Sequence, residues 1–388
     1  MVCDVAIVGL GTAGAAAAAL CAQRGLSVMG FDRTELDQAG ARWVNGVTGW
    51  CFDDAGIPRS TGAELRGSGD QSFHLIVGWG PKRVVVKGRD VLDVDMRMLV
   101  DRLQSMAWDA GATLHSRCAV HSWDGEVLHT DDGPVVPKWV VDASGIKGAG
   151  LVPIPPVDVS DICTAAQEVR QVTDTAAAQR WFHGNGAREG ENVCFTGVAG
   201  GYSILNVHLH KEEISILTGT MTGQTSGRAL LQSFVDEHSW IGPKIFGGAR
   251  AIPVGMPRRQ LAHGKIALLG DAAGQVYAAH GSGIGIQMVA ARVLADALAQ
   301  GRGPASYSRR FLRKYAPSLA ISARFARFSR GLSPDQIGKL IDSGLMSEAM
   351  CRATMEQRPP HLADLPPLLG GALRLVSGRT AGWDLPTP

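Results

Sequence analysis

The first 25 residues constrain the fold more than any other stretch. Residues 3–9, CDVAIVG, form a short apolar run ending at Gly9, and AGAAAAALCAQRG predicts a helix closed by Gly25. Between them lies G-L-G-T-A-G, which sets Gly9, Gly11 and Gly14 at the spacing of a dinucleotide-binding turn. In such a turn Gly9 supplies the tight bend, Gly11 lets the backbone approach a pyrophosphate, and Gly14 lets the helix pack closely on the strand. The pyrophosphate would rest on the N–H groups of the first helical turn, which brings in Thr12 and Ala13. A second apolar run, LSVMGF, ends at Asp32, 23 residues after Gly9. An acidic residue at that distance accepts a hydrogen bond from the adenosine ribose. Arg33 and Arg42 join the candidate contacts. The competing reading is an alanine-rich packing helix after an accidental small-residue loop.

The chain has 388 residues, enough for two or three domains. Hydrophobic residues at 45% and charged residues at 19% suit a globular protein rather than a disordered one. A formal net charge of +2 gives no electrostatic case for nucleic acid. No apolar run reaches the roughly 18 residues of a spanning helix. The sequence opens directly into VCDVAIVGLG without a basic leader or cleavage site, so the expectation is the mature start of a cytoplasmic protein. Seven cysteines are scattered without a C-x-x-C pair, which predicts buried thiols in a reducing compartment, with no disulfide framework and no metal site.

A second glycine cluster lies far from the first. GKIALLGDAAG places Gly270 and Asp271 at the C-terminal end of a strand, where a carboxylate would accept hydrogen bonds from the ribityl hydroxyls of a flavin. The helix that follows would aim its N-terminal dipole at the flavin's pyrimidine edge. Gly281, Ser282, Gly283 and Ile284, with Gly285, would let the backbone lie against the ring system.

G-L-G-T-A-G near the start, V-V-D-A-S-G at 140–145 and L-L-G-D-A-A-G near 270 together resemble FAD-dependent oxidoreductases of the para-hydroxybenzoate hydroxylase fold. That group includes aromatic monooxygenases, flavin-dependent halogenases and geranylgeranyl reductases, and the resemblance covers roughly residues 1–330. It implies bound FAD, with Asp142 and Gly145 of the middle motif among its contacts. The distal stretch is most similar to the geranylgeranyl reductase pattern G-D-A-A-G-x-V-x-P-x-x-G-x-G-I, followed from Gly270 through Ile284 without a gap. The departures are specific. Ala278 stands for the family's Pro, and His280 for a common Thr. In DMRMLVDRL, Met96 takes the place of the cofactor-contacting Arg or Gln, and Arg97 follows one position later. The middle motif lacks the Ser and Arg that normally continue it in hydroxylases, a segment linked there to FAD and NADPH. Gly200, Gly201 and Tyr202 match the reductases' active-site Gly-Gly-Tyr, but the aromatic and proline elements after it are missing, and the halogenase signature W-x-W-x-I-P is absent.

The expected architecture is α/β, a Rossmann-type FAD-binding domain with an interleaved, largely antiparallel substrate sheet and C-terminal helices. Residues 1–160 and 256–300 form the FAD-binding domain, with a small β-meander at about 84–138. Residues 161–255 form the substrate sheet, with 45–90 as a further contributor, and 301–388 a helical region. There, 283–300 reads as a long alanine-rich helix and 305–330 as helix with a break near Pro317. The latter carries Arg309, Arg310, Arg313, Lys314, Arg324, Arg327 and Arg330 among aromatic residues. A solvated basic face is the plain reading, and an anionic membrane surface or acidic electron donor the alternative. Residues 334–375 read as short helices and GRTAGWDLPTP as a loose tail.

The functional expectation is an FAD-dependent oxidoreductase acting on a hydrophobic small molecule, with monooxygenation favoured because it is common across the fold. NADPH or NADH, or a separate reductase or electron-donor protein, would supply electrons. The alternatives are reduction of a C=C bond in the manner of geranylgeranyl reductases, and a cyclase with structural FAD. His280 and Tyr202 are the candidate catalytic residues. His280 would lie in the loop over the flavin, where it would donate a proton or stabilise an oxyanion. Hydroxylases of this fold, however, often need no protein acid there. Tyr202, His208 and His210 would face substrate, or simply alternate on a half-buried sheet.

Overall fold

The computed structural model describes residues 1–359. Its helices, in chain order, are α1 (Thr12–Ala22), α2 (Gly49–Ala55), α3 (Met96–Asp109), α4 (Thr175–Gly184), α5 (Gly227–Asp236), α6 (Ile284–Ala299), α7 (Gly303–Arg330), α8 (Pro334–Ser343) and α9 (Glu348–Met355). The chain divides into two compact units. The first takes Met1–Leu65, Val94–Val159 and Ile252–Ala323; the second takes Arg66–Asp93, Ser160–Ala251 and the described residues from Arg324 onward.

The first unit is built on a sheet ordered Ala262–His263, Ile266–Leu268, Gly133–Asp142, Val2–Val8, Val28–Phe31 and Thr113–His115. All neighbours are parallel except the edge hairpin of the first two strands. The strands read as continuous apolar runs because a parallel sheet is covered on both faces. Register aligns their ends: Val8 pairs with Asp142 and with Phe31, and Asp142 with Leu268. Gly9, Asp32, Ala143 and Leu269 therefore leave the sheet side by side at its C-terminal edge, where ligands of open α/β sheets bind. Helices α1, α3 and α6 pack together, and every residue of α1 is buried. The meander consists of Val120–Trp123, Leu128–Thr130 and the start of Gly133–Asp142.

The second unit holds a seven-stranded sheet ordered Ile241–Pro253, Ile162–Val172, Glu213–Met221, Ser203–His210, Asn192–Thr196, Phe73–Val77 and Arg83–Val86. Its register is antiparallel at the pairs Ile162–Val172/Glu213–Met221, Glu213–Met221/Ser203–His210 and Ser203–His210/Asn192–Thr196, and parallel between Asn192–Thr196 and Phe73–Val77. Alternation splits its residues. One face sends Ile76, Val193, Phe195, Val207, Ile214 and Ile216 into a core with Phe182 of α4 and Phe234 of α5. The other face carries rows such as Phe73, Asn192, His208 and Ser215.

Two expectations are corrected. The β-like run at 84–87 is not part of the meander: Arg83–Val86 pairs with Phe73–Val77 in the second sheet, because a local β-pattern does not say which sheet a strand joins. Helix α7 runs through Pro317 without a break, Pro317 lacking only one N–H donor in a helix of 28 residues. The stretch from 334 forms α8 and α9, and its part beyond 359, with GRTAGWDLPTP, lies outside the described residues. In α7, Arg327 and Arg330 pair with Asp161, while Ile321, Phe325 and Phe328 are exposed. No helix among the described residues is long and apolar enough to cross a membrane.

Candidate cofactor site

The glycine turn after the first strand is tight for a steric reason at each position. At Gly9 (φ +91°) a Cβ would lie 2.6 Å from the Ala143 carbonyl oxygen, so the turn presses against the loop following Asp142. At Gly14 a Cβ would sit 1.8 Å from the Gly9 oxygen. At Gly11 it would lie 3.0 Å from the Gly40 Cα, which gives Gly11 a packing reason of its own. Helix α1 then starts at Gly11 with no side-chain cap and no acid in its first turn, and α6 starts at Gly283 in the same way. By contrast α3, α4, α5, α8 and α9 are capped by Asp95, Asp174, Ser226, Ser333 and Ser347. An uncapped helix N-terminus presents unsatisfied N–H groups and positive dipole to an anion. In α1 these groups belong to Thr12, Ala13 and Gly14.

Asp32 anchors this turn. Its Oδ2 accepts from the Leu10 N–H (2.8 Å) and its Oδ1 from the Thr34 N–H (2.9 Å) and hydroxyl (2.8 Å). Oδ2 keeps a further lone pair for a ligand. Arg33 is exposed, and Arg42 donates to the Asp37 carbonyl. Arg97 grips Asp95, the α3 cap, through Nε (3.0 Å) and Nη2 (2.7 Å), while Met96 is fully buried. Asp142, fully buried, accepts from Ser144 N–H (3.1 Å), Ser144 Oγ (2.6 Å) and Ala149 N–H (2.8 Å), so it shapes the loop that carries Gly145 (φ +99°).

The distal turn meets the first one. A Cβ on Gly270 would stand 3.0 Å from the Ala13 Cβ, so glycine motifs more than 250 residues apart in sequence are in contact. Asp271 lies within a 3-10 turn, Gly270–Ala273, beyond the strand Ile266–Leu268 rather than at its end, and its Oδ1 accepts from Gln287 Nε2 (2.8 Å). Gly281 has φ +67°, and Ser282 Oγ donates to the Gly46 carbonyl (3.4 Å) just before Ile284 opens α6. Gly285 has a packing reason of its own: its Cβ would meet Cys51 Sγ at 2.8 Å, so glycine there lets α6 and α2 pack. The His280 ring lies tilted against that of Tyr277, with ring centres 5.1 Å apart, and His280 is half-buried.

Several residues that hold this site were not singled out from sequence. Gln104 of α3 donates to the Leu10 and Leu36 carbonyls (3.1 and 3.0 Å), pinning the first turn. Its signal was a polar residue beside Leu103 on the apolar stripe of a helix. Gln275 accepts from the Gly270 N–H (2.8 Å) and donates to the Tyr307 hydroxyl (2.7 Å), which itself donates to Leu268 O (3.0 Å). No spacing rule marks that chain of bonds.

In the second unit, burial pushes the Tyr202 hydroxyl well above its ordinary pKa, so it stays a donor. His208 is buried with Nε2 3.1 Å from the Gly190 carbonyl, and burial pulls its pKa below the usual value; His210 is lowered too, by burial and then by His208. For His208 the folded state binds its proton less tightly than the unfolded state. Stability is therefore expected to fall as pH drops below the unfolded pKa of about 6.5, by up to about 1.4 kcal/mol per pH unit, until the folded imidazole titrates. Urea unfolding between pH 7.5 and 5 should show this slope flattened in His208→Gln; an unchanged slope would assign it elsewhere.

All seven cysteines are free and buried, and burial lifts Cys21, Cys163, Cys194 and Cys351 to about 12. Among the described residues no group of three or more His, Cys, Asp and Glu is placed to hold a metal ion.

No family model and no curated protein matches this chain. Solved structures do. A geranylgeranyl bacteriochlorophyll reductase-like protein of Thermoplasma acidophilum superposes with TM-score 0.73 at 16% identity over 95% of both chains. The flavin-dependent brominase Bmp2 gives 0.68 at 14% identity over 98% of this chain and 100% of its own. The anhydrotetracycline hydroxylase OxyS of Streptomyces rimosus gives 0.62 at 16% identity over 92% of this chain and 76% of its own. The chain has their fold. It is the fold of FAD-dependent oxidoreductases to which the three sequence motifs pointed, and the likeness is one of architecture.

Proposed function

We propose that this protein is an FAD-dependent oxidoreductase that oxygenates a hydrophobic small molecule. The observation that carries the reading is the meeting of two glycine turns, Gly9–Gly14 and Gly270–Gly274, at the C-terminal edge of a parallel sheet, beside two helices that start without a cap. A side chain at Gly14 or Gly270 would press the two turns apart, against the Gly9 oxygen or the Ala13 Cβ, and the donor set suits a Rossmann-type FAD site. The N–H groups of Gly11, Thr12, Ala13 and Gly14 would take the diphosphate, and Asp32 the adenosine ribose with Arg33 and Arg42 nearby. Asp271 would take the ribityl chain, and Gly281, Ser282, Gly283 and Ile284 the pyrimidine edge. Asp142, Gly145 and Arg97 would support the same site from its rim.

Bound FAD would supply the electron-transfer chemistry, and the protein supplies position and exclusion of water. His280 would hold a proton in the loop before α6, and Tyr202 would donate its hydroxyl hydrogen to a substrate oxygen. The names of the similar hydroxylase and brominase support flavin chemistry on small molecules. A second reading, reduction of a C=C bond with an external donor, is favoured by the reductase-like structure and by Gly200-Gly201-Tyr202. A cytoplasmic location belongs to the proposal and suits seven free thiols.

Anaerobic titration of the purified protein with NADPH and NADH, following visible flavin absorbance, tests it. Bleaching by a nicotinamide, with oxygen uptake on adding air and substrate, is the expected result. Bleaching only by dithionite, and product formed without oxygen, would replace oxygenation by reduction through a donor protein. Absence of any bound or bindable flavin would overturn both readings.

A further inference from the structure

The turn after Arg83–Val86 holds a cation with nothing to grip. Arg89 is only 4% exposed, and its Nε and Nη2 are buried without a hydrogen-bond partner. Its guanidinium lies 5.2 Å from the centre of the Phe73 ring. Nε and Nη2 form the side-on edge of a guanidinium, which takes a carboxylate through two parallel hydrogen bonds. On three other arginines that edge is filled: by Asp95 on Arg97, by Glu64 on Arg102 and by Asp53 on Arg59. Buried N–H donors without acceptors are unfavourable, so an empty fork of this kind calls for a ligand.

The neighbourhood is polar on the same side. Sheet register places Phe73, Asn192 and His208 in one row, with Asn192 and His208 buried. Asn206, one step along, donates to Asn192 Oδ1 (3.3 Å) and leaves its own Oδ1 buried and unpartnered. The nearby acid is occupied: Asp93 Oδ2 accepts from Asn192 Nδ2 (3.2 Å). Gly69 lies against the Arg89 backbone, where a Cβ would be 1.4 Å from the Arg89 oxygen and 3.2 Å from its Cγ, and the next residues, Asp70 and Gln71, are exposed.

We propose that Arg89 anchors the carboxylate of a small molecule, which lies beside the row formed by Asn192, Asn206 and His208. All these residues belong to the second unit, and the inference stands independently of the flavin reading.

The test is thermal unfolding of the full chain in sodium acetate and sodium benzoate, against sodium chloride at equal ionic strength, for wild type, Arg89→Met and Arg89→Lys. Wild type should show a saturable rise in Tm with carboxylate and none with chloride. Without carboxylate, Arg89→Met should unfold about 2–4 °C higher, because buried donors without acceptors are gone, and its Tm should not respond to carboxylate. Arg89→Lys should bind at least about tenfold more weakly, since an ammonium lacks the fork. Flavin absorbance, read in parallel, should be the same in all three proteins. No carboxylate-dependent shift in wild type would overturn the proposal. So would an equal shift in Arg89→Met, or a lower Tm of that variant without carboxylate, which would make Arg89 a structural brace on Phe73.

Discussion

Replacing Gly14 with alanine is expected to strip the protein of bound flavin and to cost about 3 kcal/mol of stability, at the upper end of what overpacking does. The added Cβ would lie 1.8 Å from the Gly9 oxygen and 2.9 Å from its carbonyl carbon, and backbone atoms cannot rotate away as a side-chain tip can. Helix α1 would have to move off the strand, carrying the N–H groups of Thr12 and Ala13 with it. Gly25→Ala is the matched control. It has φ +79° and open space around a Cβ, so it pays only the left-handed backbone cost of about 1–2 kcal/mol and should keep its flavin. Urea midpoints and visible absorbance of the two variants decide the matter; equal midpoints with flavin retained in both would sink the steric argument.

Asp142→Ala is expected to have the second largest effect. A wholly buried carboxylate that accepts three hydrogen bonds, from Ser144 twice and from Ala149, leaves these donors without their shared acceptor when it is removed. A cost of about 3 kcal/mol follows from hydrogen bonds to a charged group. The loop it shapes presses on Gly9 through the Ala143 oxygen, so FAD affinity, followed by flavin fluorescence quenching, should fall as well. Asp142→Asn keeps the shape but offers one acceptor fewer, and should lie between wild type and alanine in both measurements. Wild-type affinity in Asp142→Ala would show that the loop does not support the turn.

The parts of the site that sequence made legible are those set by neighbours in the chain. Gly9, Gly11 and Gly14 sit between a run that must be a strand and a run that must be a helix, so their spacing has a local meaning. Asp32 ends the next strand for the same reason. What sequence left open depends on residues brought together from afar. Gly285 looks like a ring-facing glycine, but Cys51, more than 230 positions earlier, requires glycine there as well. Gln104, Gln275 and Tyr307 brace the two turns through single bonds that leave no pattern in the chain. The strand Arg83–Val86 was recognisable as a strand, but its partner was not, since β-patterns carry no address. Arg89, between Gly88 and Asp90, reads as a solvated turn residue until its burial is seen.

The all-buried character of α1 bears on the order in which the molecule can be assembled. A helix with no polar face gains nothing from water, and its packing partners are α3 and α6. Helix α6 leaves the ribosome roughly 15–50 s after α1 at ordinary elongation rates. Throughout that interval the N-terminal strand and helix have no complete surface to settle on, and the Gly270 turn that touches Ala13 has yet to be synthesised. The site where the two glycine turns meet is therefore complete only after Gly270 has been made, and the proposed cofactor would close assembly rather than guide it.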